Sequence, residues 1–248
     1  MKKRLLSVLF TVPLLALSTL TAHAQTWACT AAAFSACSIQ GDTGWDEYNN
    51  TWNDPAMPPN SYWLYANSHS NWEVLANQAA CPTLDCAVES YDSAQFNYKN
   101  TPGTEKISDI THMTSDFKET MPTGSLETNG FDAEAAYDIW LNDYAIEVMI
   151  WVDNQGQTPA GSVIGTPVID DQGFTVYKAG QTYSFILDHN ETSGQVNILK
   201  TLDWLTTNGS ISPNSYMTQF NFGWEICSTD GKTATFTVNK LDLEQGFK

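Results

Sequence analysis

Basic residues are scarce in this chain, and the shortage excludes whole classes of partner. Of 248 residues, 28 are Asp or Glu and 11 are Lys or Arg. Arginine occurs once, at Arg4, beside Lys2 and Lys3. Beyond residue 24 eight lysines stand against all 28 acids, a formal charge of −20. A protein that grips nucleic acid needs a basic footprint for the phosphates, so no nucleic-acid partner is expected. Anionic polymers are disfavoured for the same reason, and a neutral ligand fits. The chain also lacks a CxxC pair, and its four histidines are scattered, with His23 near the N-terminus. No metal site and no cofactor are expected from so thin a set of soft ligands.

Long apolar runs are missing too, apart from residues 5–20. That run is short for a membrane span and carries Ser, Thr and Pro. It follows Met1-Lys2-Lys3-Arg4 and precedes Ala22-His23-Ala24, the layout of a secretory leader cleaved after Ala24. The expectation is a leader over 1–24 and one secreted domain over 25–248, a monomer with no membrane contact after cleavage. No linker, repeat or low-complexity tract divides the second part.

Five cysteines remain: Cys29, Cys37, Cys81, Cys86 and Cys227. In an exported chain disulfides are expected among them. Cys81 and Cys86 bracket a short loop suited to a staple. Cys29 and Cys37 could pair locally, which leaves Cys227 unpaired or unusually paired, two residues after Glu225.

Most of the chain reads as strands of five to nine residues set between clusters of Gly, Asn, Asp, Ser and Pro. Examples are 61–66, 135–141, 146–152, 173–177, 182–187, 217–226 and 234–239. One segment differs: residues 194–208 place Val196, Leu199, Leu202, Trp204 and Leu205 at helical spacing. Many strands and one amphipathic helix predict an all-β fold, a two-sheet sandwich or jelly roll. Trp45, Trp52 and Trp72 sit beside Asn, Asp or Gly, and there, as at Trp27, exposure in a cleft competes with core packing.

Two strands carry a carboxylate in an unusual setting. In Glu147-Val148-Met149-Ile150-Trp151, alternation puts Val148 and Ile150 on a core face. Glu147, Met149 and Trp151 share the other. Residues 216–225 repeat the pattern: Gln219, Asn221, Gly223 and Glu225 share one face, and Phe220, Phe222 and Trp224 share the other. An acid among apolar neighbours is costly to ionise. Aromatic rings stack on sugar faces, and two facing acids are the chemistry of glycoside hydrolysis. The plainer alternative is a pair of unrelated glutamates pointing into water.

From about residue 38 to 243 run, in order, Asn49-Asn50-Thr51-Trp52, His69-Ser70-Asn71-Trp72, Val88-Glu89-Ser90-Tyr91, Ala135-Ala136-Tyr137-Asp138-Ile139-Trp140, Glu147-Val148-Met149-Ile150-Trp151, Pro159-Ala160-Gly161-Ser162 and Phe222-Gly223-Trp224-Glu225. Together these short motifs resemble glycoside hydrolase family 12, secreted β-jelly-roll endoglucanases and xyloglucanases. The resemblance implies a β-jelly roll of two stacked antiparallel sheets forming an open cleft. It implies Glu147 as nucleophile, Glu225 as general acid/base and Asp138 as the residue that hydrogen-bonds and orients the nucleophile. Asn50, Trp52, His69, Trp72, Met149, Trp151, Pro159 and Asn221 are the expected substrate contacts, with core packing the alternative for Trp52 and Trp72. The chain departs from the family at Glu89, where a Lys is usual, and after Glu225, where Ile226-Cys227 replaces a Pro-aromatic pair. The function implied is a retaining endo-β-1,4-glucanase acting on a β-1,4-glucan polysaccharide. A xyloglucan-specific enzyme and a non-catalytic glycan-binding jelly roll are the alternatives.

Overall fold

The computed structural model describes residues 27–39, 42–53, 62–81, 86–98, 104–122 and 130–248. The leader expected over 1–24 lies outside them. The described residues form two sheets. The smaller takes β1 (Cys29–Ala32), β4 (Trp63–Ser68), β5 (Asn71–Ala76), β16 (Ala234–Phe247), β7 (Ile110–Thr120) and β14 (Ser193–Val196), in that spatial order. The larger runs β10 (Ser162–Gly165), β12 (Gln172–Ala179), β13 (Thr182–Leu187), β9 (Ile146–Gln155), β8 (Phe131–Leu141), β15 (Met217–Thr229), β6 (Ser90–Asn97), β3 (Trp45–Asn49) and β2 (Ser35–Cys37), with β11 (Val168–Ile169) paired to β12. Pairing is antiparallel except between β13 and β9. This is the all-β, two-sheet architecture expected.

Alternation explains how the larger sheet carries a core on one face and a site on the other. On β8, Phe131, Ala133, Ala135, Tyr137, Ile139 and Leu141 enter the core between the sheets. Val148, Ile150 and Val152 of β9 and Phe220, Phe222, Trp224 and Ile226 of β15 do the same. Trp72 meets Trp224 edge to face there, ring centroids 4.9 Å apart, a pairing worth about 1 kcal/mol beyond the area it buries. On the opposite face Ala136, Met149 and Trp151 form a separate small apolar patch, with Ile186 against it.

The helix, α1, spans Ile198–Thr207, a shorter element than residues 194–208 would give. Residues 193–196 instead pair with β7 as β14. Asn197 marks the change: its side chain accepts a hydrogen bond from the Lys200 backbone N–H at 3.2 Å, a helix N-cap. Ile198, Leu202 and Leu205 are buried, and Trp204 meets Phe185 edge-on at 5.6 Å.

Cys29–Cys37 and Cys81–Cys86 are disulfides, and Cys227 is a buried free thiol. The Gln157 side-chain amide points at its sulfur, 3.1 Å away.

Candidate active site

Register fixes where the acids fall. Glu147 lies opposite Trp140 on β8 and opposite Thr182 on β13. Asp138 lies between Met149 and Asn221. Glu225 lies between Glu134 and Tyr91. On a flat sheet the rows of Glu147 and Glu225, six residues apart along β8, would be separated by about 20 Å. Yet both acids line the same two cavities, and the charge of Glu225 acts on Glu147. The sheet therefore bends toward this face. Register breaks at Ala135/Ala136 and at Ile226/Ser228 mark bulges where such a bend is accommodated.

The first cavity, of about 520 Å³, is walled by aromatic rings from Tyr48, Trp52, Trp140 and Tyr144 and by the amides of Asn50, Gln95, Gln219 and Asn221. Its floor carries Asp138, Glu147, Glu225 and Tyr91. The second, of about 260 Å³, is lined by Met149, Trp151, Thr158, Ala160 and Ser184 among others, with Glu147 and Glu225 again on its wall. The acid pair thus sits where the two cavities meet. Rings and amides around a neutral-sized groove suit a sugar chain, which offers apolar faces and equatorial hydroxyls.

Each acid has its own environment. Glu147 accepts a hydrogen bond from the Thr182 hydroxyl at 2.7 Å. Burial raises its pKa, the Thr182 bond opposes that, and the Glu225 charge raises it further. Burial also raises Glu225. Asp138 is pushed well above the usual carboxylate range by burial, then by the charges of Glu147 and Glu225. The Trp140 indole N–H donates to its Oδ2 at 2.7 Å, and its Oδ1 is buried with no partner. Asn221 donates to the Asp138 backbone carbonyl at 3.0 Å, which ties β15 to β8 at the cleft floor. Tyr91 is buried among Asp138, Glu225, Glu147 and Glu134, its phenol held un-ionised by burial and by those charges, donating to the Ala136 carbonyl at 3.1 Å.

Of the expected site residues, Glu147, Glu225, Asp138, Asn50, Trp52 and Asn221 line the first cavity, and Met149 and Trp151 the second. Trp52 is 56% exposed. Pro159 lies between Thr158 and Ala160 of the second cavity wall without lining it. Two residues fall elsewhere. Trp72 is fully buried between the sheets, because its strand turns Trp72, Val74 and Ala76 to the core. His69 stacks on Trp45 at 4.3 Å and pairs with Asp42, beside a separate cavity of about 370 Å³. Glu147 takes its hydroxyl hydrogen bond from Thr182, and Asp138 and Glu147 act on each other through charge.

Residues not anticipated as site members are Thr182, Trp140, Tyr91, Glu134, Tyr48, Gln95, Gln219 and Tyr144. Trp140 and Gln219 could have been found by alternation, since they share faces with Asp138 and Asn221. Thr182 and Glu134 enter through cross-strand register.

A two-sheet jelly roll whose bent sheet holds buried acids between rings and amides defines a carbohydrate-active β-protein. The profile of glycosyl hydrolase family 12 matches residues 48–244. Endoglucanase S of Pectobacterium parmentieri is 26% identical over 210 residues, covering 75% of this chain and 76% of that protein. Xyloglucan-specific endo-beta-1,4-glucanase A of Emericella nidulans is 22% identical over 217 residues, covering 79% and 83%. A family 12 xyloglucanase structure from Bacillus licheniformis superposes with a TM-score of 0.71 at 20% identity, over 88% of this chain and all of that one. The chain belongs to glycosyl hydrolase family 12.

Proposed function

We propose that this protein is a secreted, retaining endo-β-1,4-glucanase that cleaves cellulose or mixed-linkage β-glucan. The observation that carries the reading is the position of Glu147 and Glu225 at the junction of two cavities. A glucan laid through both passes its scissile bond between two acids held by different surroundings, as acid and nucleophile must be. Glu147, oriented by Thr182, attacks the anomeric carbon while Glu225 protonates the departing oxygen. Water then hydrolyses the glycosyl-enzyme with Glu225 as base. Asp138, more buried than Glu147 and exposed to its charge, is the member of that pair that keeps a proton, so the nucleophile stays ionised. Asn50 and Trp52 hold the sugars of the first cavity, and Met149 and Trp151 border those of the second. The leader over 1–24 and the single domain over 25–248 belong to the same reading, as does a monomeric state.

A xyloglucan-specific activity is the second reading, supported by the Emericella relative and the Bacillus structure. Reducing-sugar release from carboxymethylcellulose, mixed-linkage β-glucan and xyloglucan ranks the two. Proton NMR of the first products should show the β-anomer. An α-anomer would mean inversion, and no release from any glucan would leave only a glycan-binding protein.

A further inference from the structure

Glu134 is a fully buried acid that the reaction above leaves without a role. It lies directly opposite Glu225 in the register of β8 and β15. No side chain other than a carboxyl donates to its carboxyl oxygens, and its own backbone N–H is the one group that favours its charge. What faces it is the carboxyl of Glu225. Two carboxylates can only accept, so this contact needs a proton on one of them.

The ionisable groups around the pair are Asp132 and Asp138 on β8, Cys227 on β15, Tyr91 on β6 and Glu147 on β9, with Glu89, just before β6, acting on Cys227. Among the described residues all of these are acids, a phenol or a thiol, and none is a cation. A fully buried ionised carboxylate with no counter-charge and only its own backbone N–H as donor is the most costly state available there. Glu225 lines both cavities and reaches substrate and water, whereas Glu134 lines neither. The proton that never leaves therefore belongs on Glu134.

Resting on the glycosidase reading of this site, we propose that Glu134 is a positioning residue: it remains a neutral acid through the whole cycle and donates its O–H to one oxygen of Glu225. The other oxygen of Glu225 is then free for the sugar. In the first step the bond from Glu147 to the anomeric carbon forms as the glycosidic C–O bond breaks. The Glu225 proton moves to the departing oxygen, and the carboxylate left behind keeps the hydrogen bond from Glu134. In the second step water bonds to the anomeric carbon, the Glu147 ester breaks, and Glu225 regains its proton from that water. Glu134 gives up no proton in either step. Burial, then the charge and hydrogen bond of Glu225, push Glu134 well above the ordinary range, and the same bond pulls Glu225 back down. The effect is a stronger acid for a poor leaving group.

Glu134→Gln keeps a donor of the same shape, and Glu134→Leu removes it. The pH profile of kcat/KM is measured for both on an unactivated β-1,4-glucan oligosaccharide and on a dinitrophenyl β-cellobioside. The Gln variant should keep the alkaline limb within about 0.3 pH units of wild type. The Leu variant should move that limb up by about one unit and lose about tenfold on the oligosaccharide, with under about twofold loss on the dinitrophenyl substrate. A downward shift in the Gln variant would show that Glu134 had been ionised, and an unchanged Leu variant would show that its donor does nothing; either overturns the proposal. Should the Leu variant not fold, infrared spectroscopy at neutral pH decides. The wild-type protein should show a protonated-carboxyl C=O band that Glu134→Gln lacks, and its absence overturns the role of Glu134 alone. An inactive wild type that still shows the band overturns the glycosidase reading, and the positioning role with it.

Discussion

At the scale of single residues, the cleft acids differ less in type than in what touches them. Glu147 has a hydroxyl donor from Thr182 and Glu225 has a carboxyl partner. The amide variants should separate their roles. Glu147→Gln and Glu225→Gln should each lower turnover of a glucan by about a thousandfold while leaving the melting temperature close to wild type. Only Glu225→Gln should still show a burst of phenolate from an activated aryl glycoside, because that leaving group needs no proton. Bursts from both variants, or from neither, would contradict the assignment. The tryptophans make a second contrast. Trp52 is exposed on the cleft wall and Trp72 is sealed in the core. Trp52→Ala should raise KM by about tenfold with little change in the urea midpoint. Trp72→Ala should cost about 3–5 kcal/mol of stability by leaving a cavity. Urea titrations alongside Michaelis–Menten curves check both.

At the scale of elements, period-two alternation made the cleft strands legible. It located Glu147, Met149 and Trp151 on one face and Asn221 and Glu225 on another, and each occupies a cavity wall. The same rule, applied to Asn71–Ala76, would have sent Trp72 inward with Val74 and Ala76; the motif containing His69 and Trp72 says where a strand lies but not which face it shows. Register was not legible, since one chain read alone does not say which strand lies beside which. Thr182 reaches Glu147 from a parallel neighbour, and Glu134 and Tyr91 flank Glu225 from both sides. The helix began late because the β14 residues found partners on β7, a tertiary choice that apolar spacing does not encode.

Gly223 shows how tight that register is. A Cβ built there would stand 1.8 Å from the Asp92 carbonyl oxygen and 2.7 Å from the Ser93 Cα, both backbone atoms of β6. Gly223→Ala must push β6 away from β15 and move Tyr91 relative to Glu225. A stability loss of about 1–3 kcal/mol is expected, with a fall in kcat larger than that loss of folded protein explains. Unchanged kcat in the folded fraction would show that the strands can part without disturbing the site.

For the whole molecule, buried acids outside the cleft govern the response to pH. Burial, then the charge of Asp42, raises Glu47 to about 8. Burial, then the charge of Asp153, raises Glu119 to about 8. Burial raises Asp92 to about 7 against hydrogen bonds from Tyr62 and Ser90, and raises Asp132 to about 6. Unfolded, such groups titrate near about 4. Between that value and the folded one, the native chain binds protons that the unfolded chain has lost, so stability falls as pH rises. The contribution is whole below about pH 4 and is lost as pH passes through 6 to 8. Melting temperature should therefore be higher at pH 5 than at pH 8, and calorimetry across that range checks it; a flat or rising curve would mean that these acids are ionised in the native state.

The Cys29–Cys37 bridge joins β1, at one edge of the smaller sheet, to β2, at one edge of the larger. With its two cysteines only 8 positions apart in sequence, it removes little freedom from the unfolded chain, under about 3 kcal/mol. Its effect is to be sought at the seam: two short marginal strands are clamped to each other, and each covers an open rim that would otherwise be a template for a foreign strand. Reduction should leave the far side of the sandwich as protected as before while amide hydrogens of β1 and β2 exchange much faster. The reduced enzyme would then lose colloidal stability before it loses activity, precipitating edge to edge with its cleft still intact. Exchange mass spectrometry with and without reductant, followed by light scattering, would show that order of events or refute it.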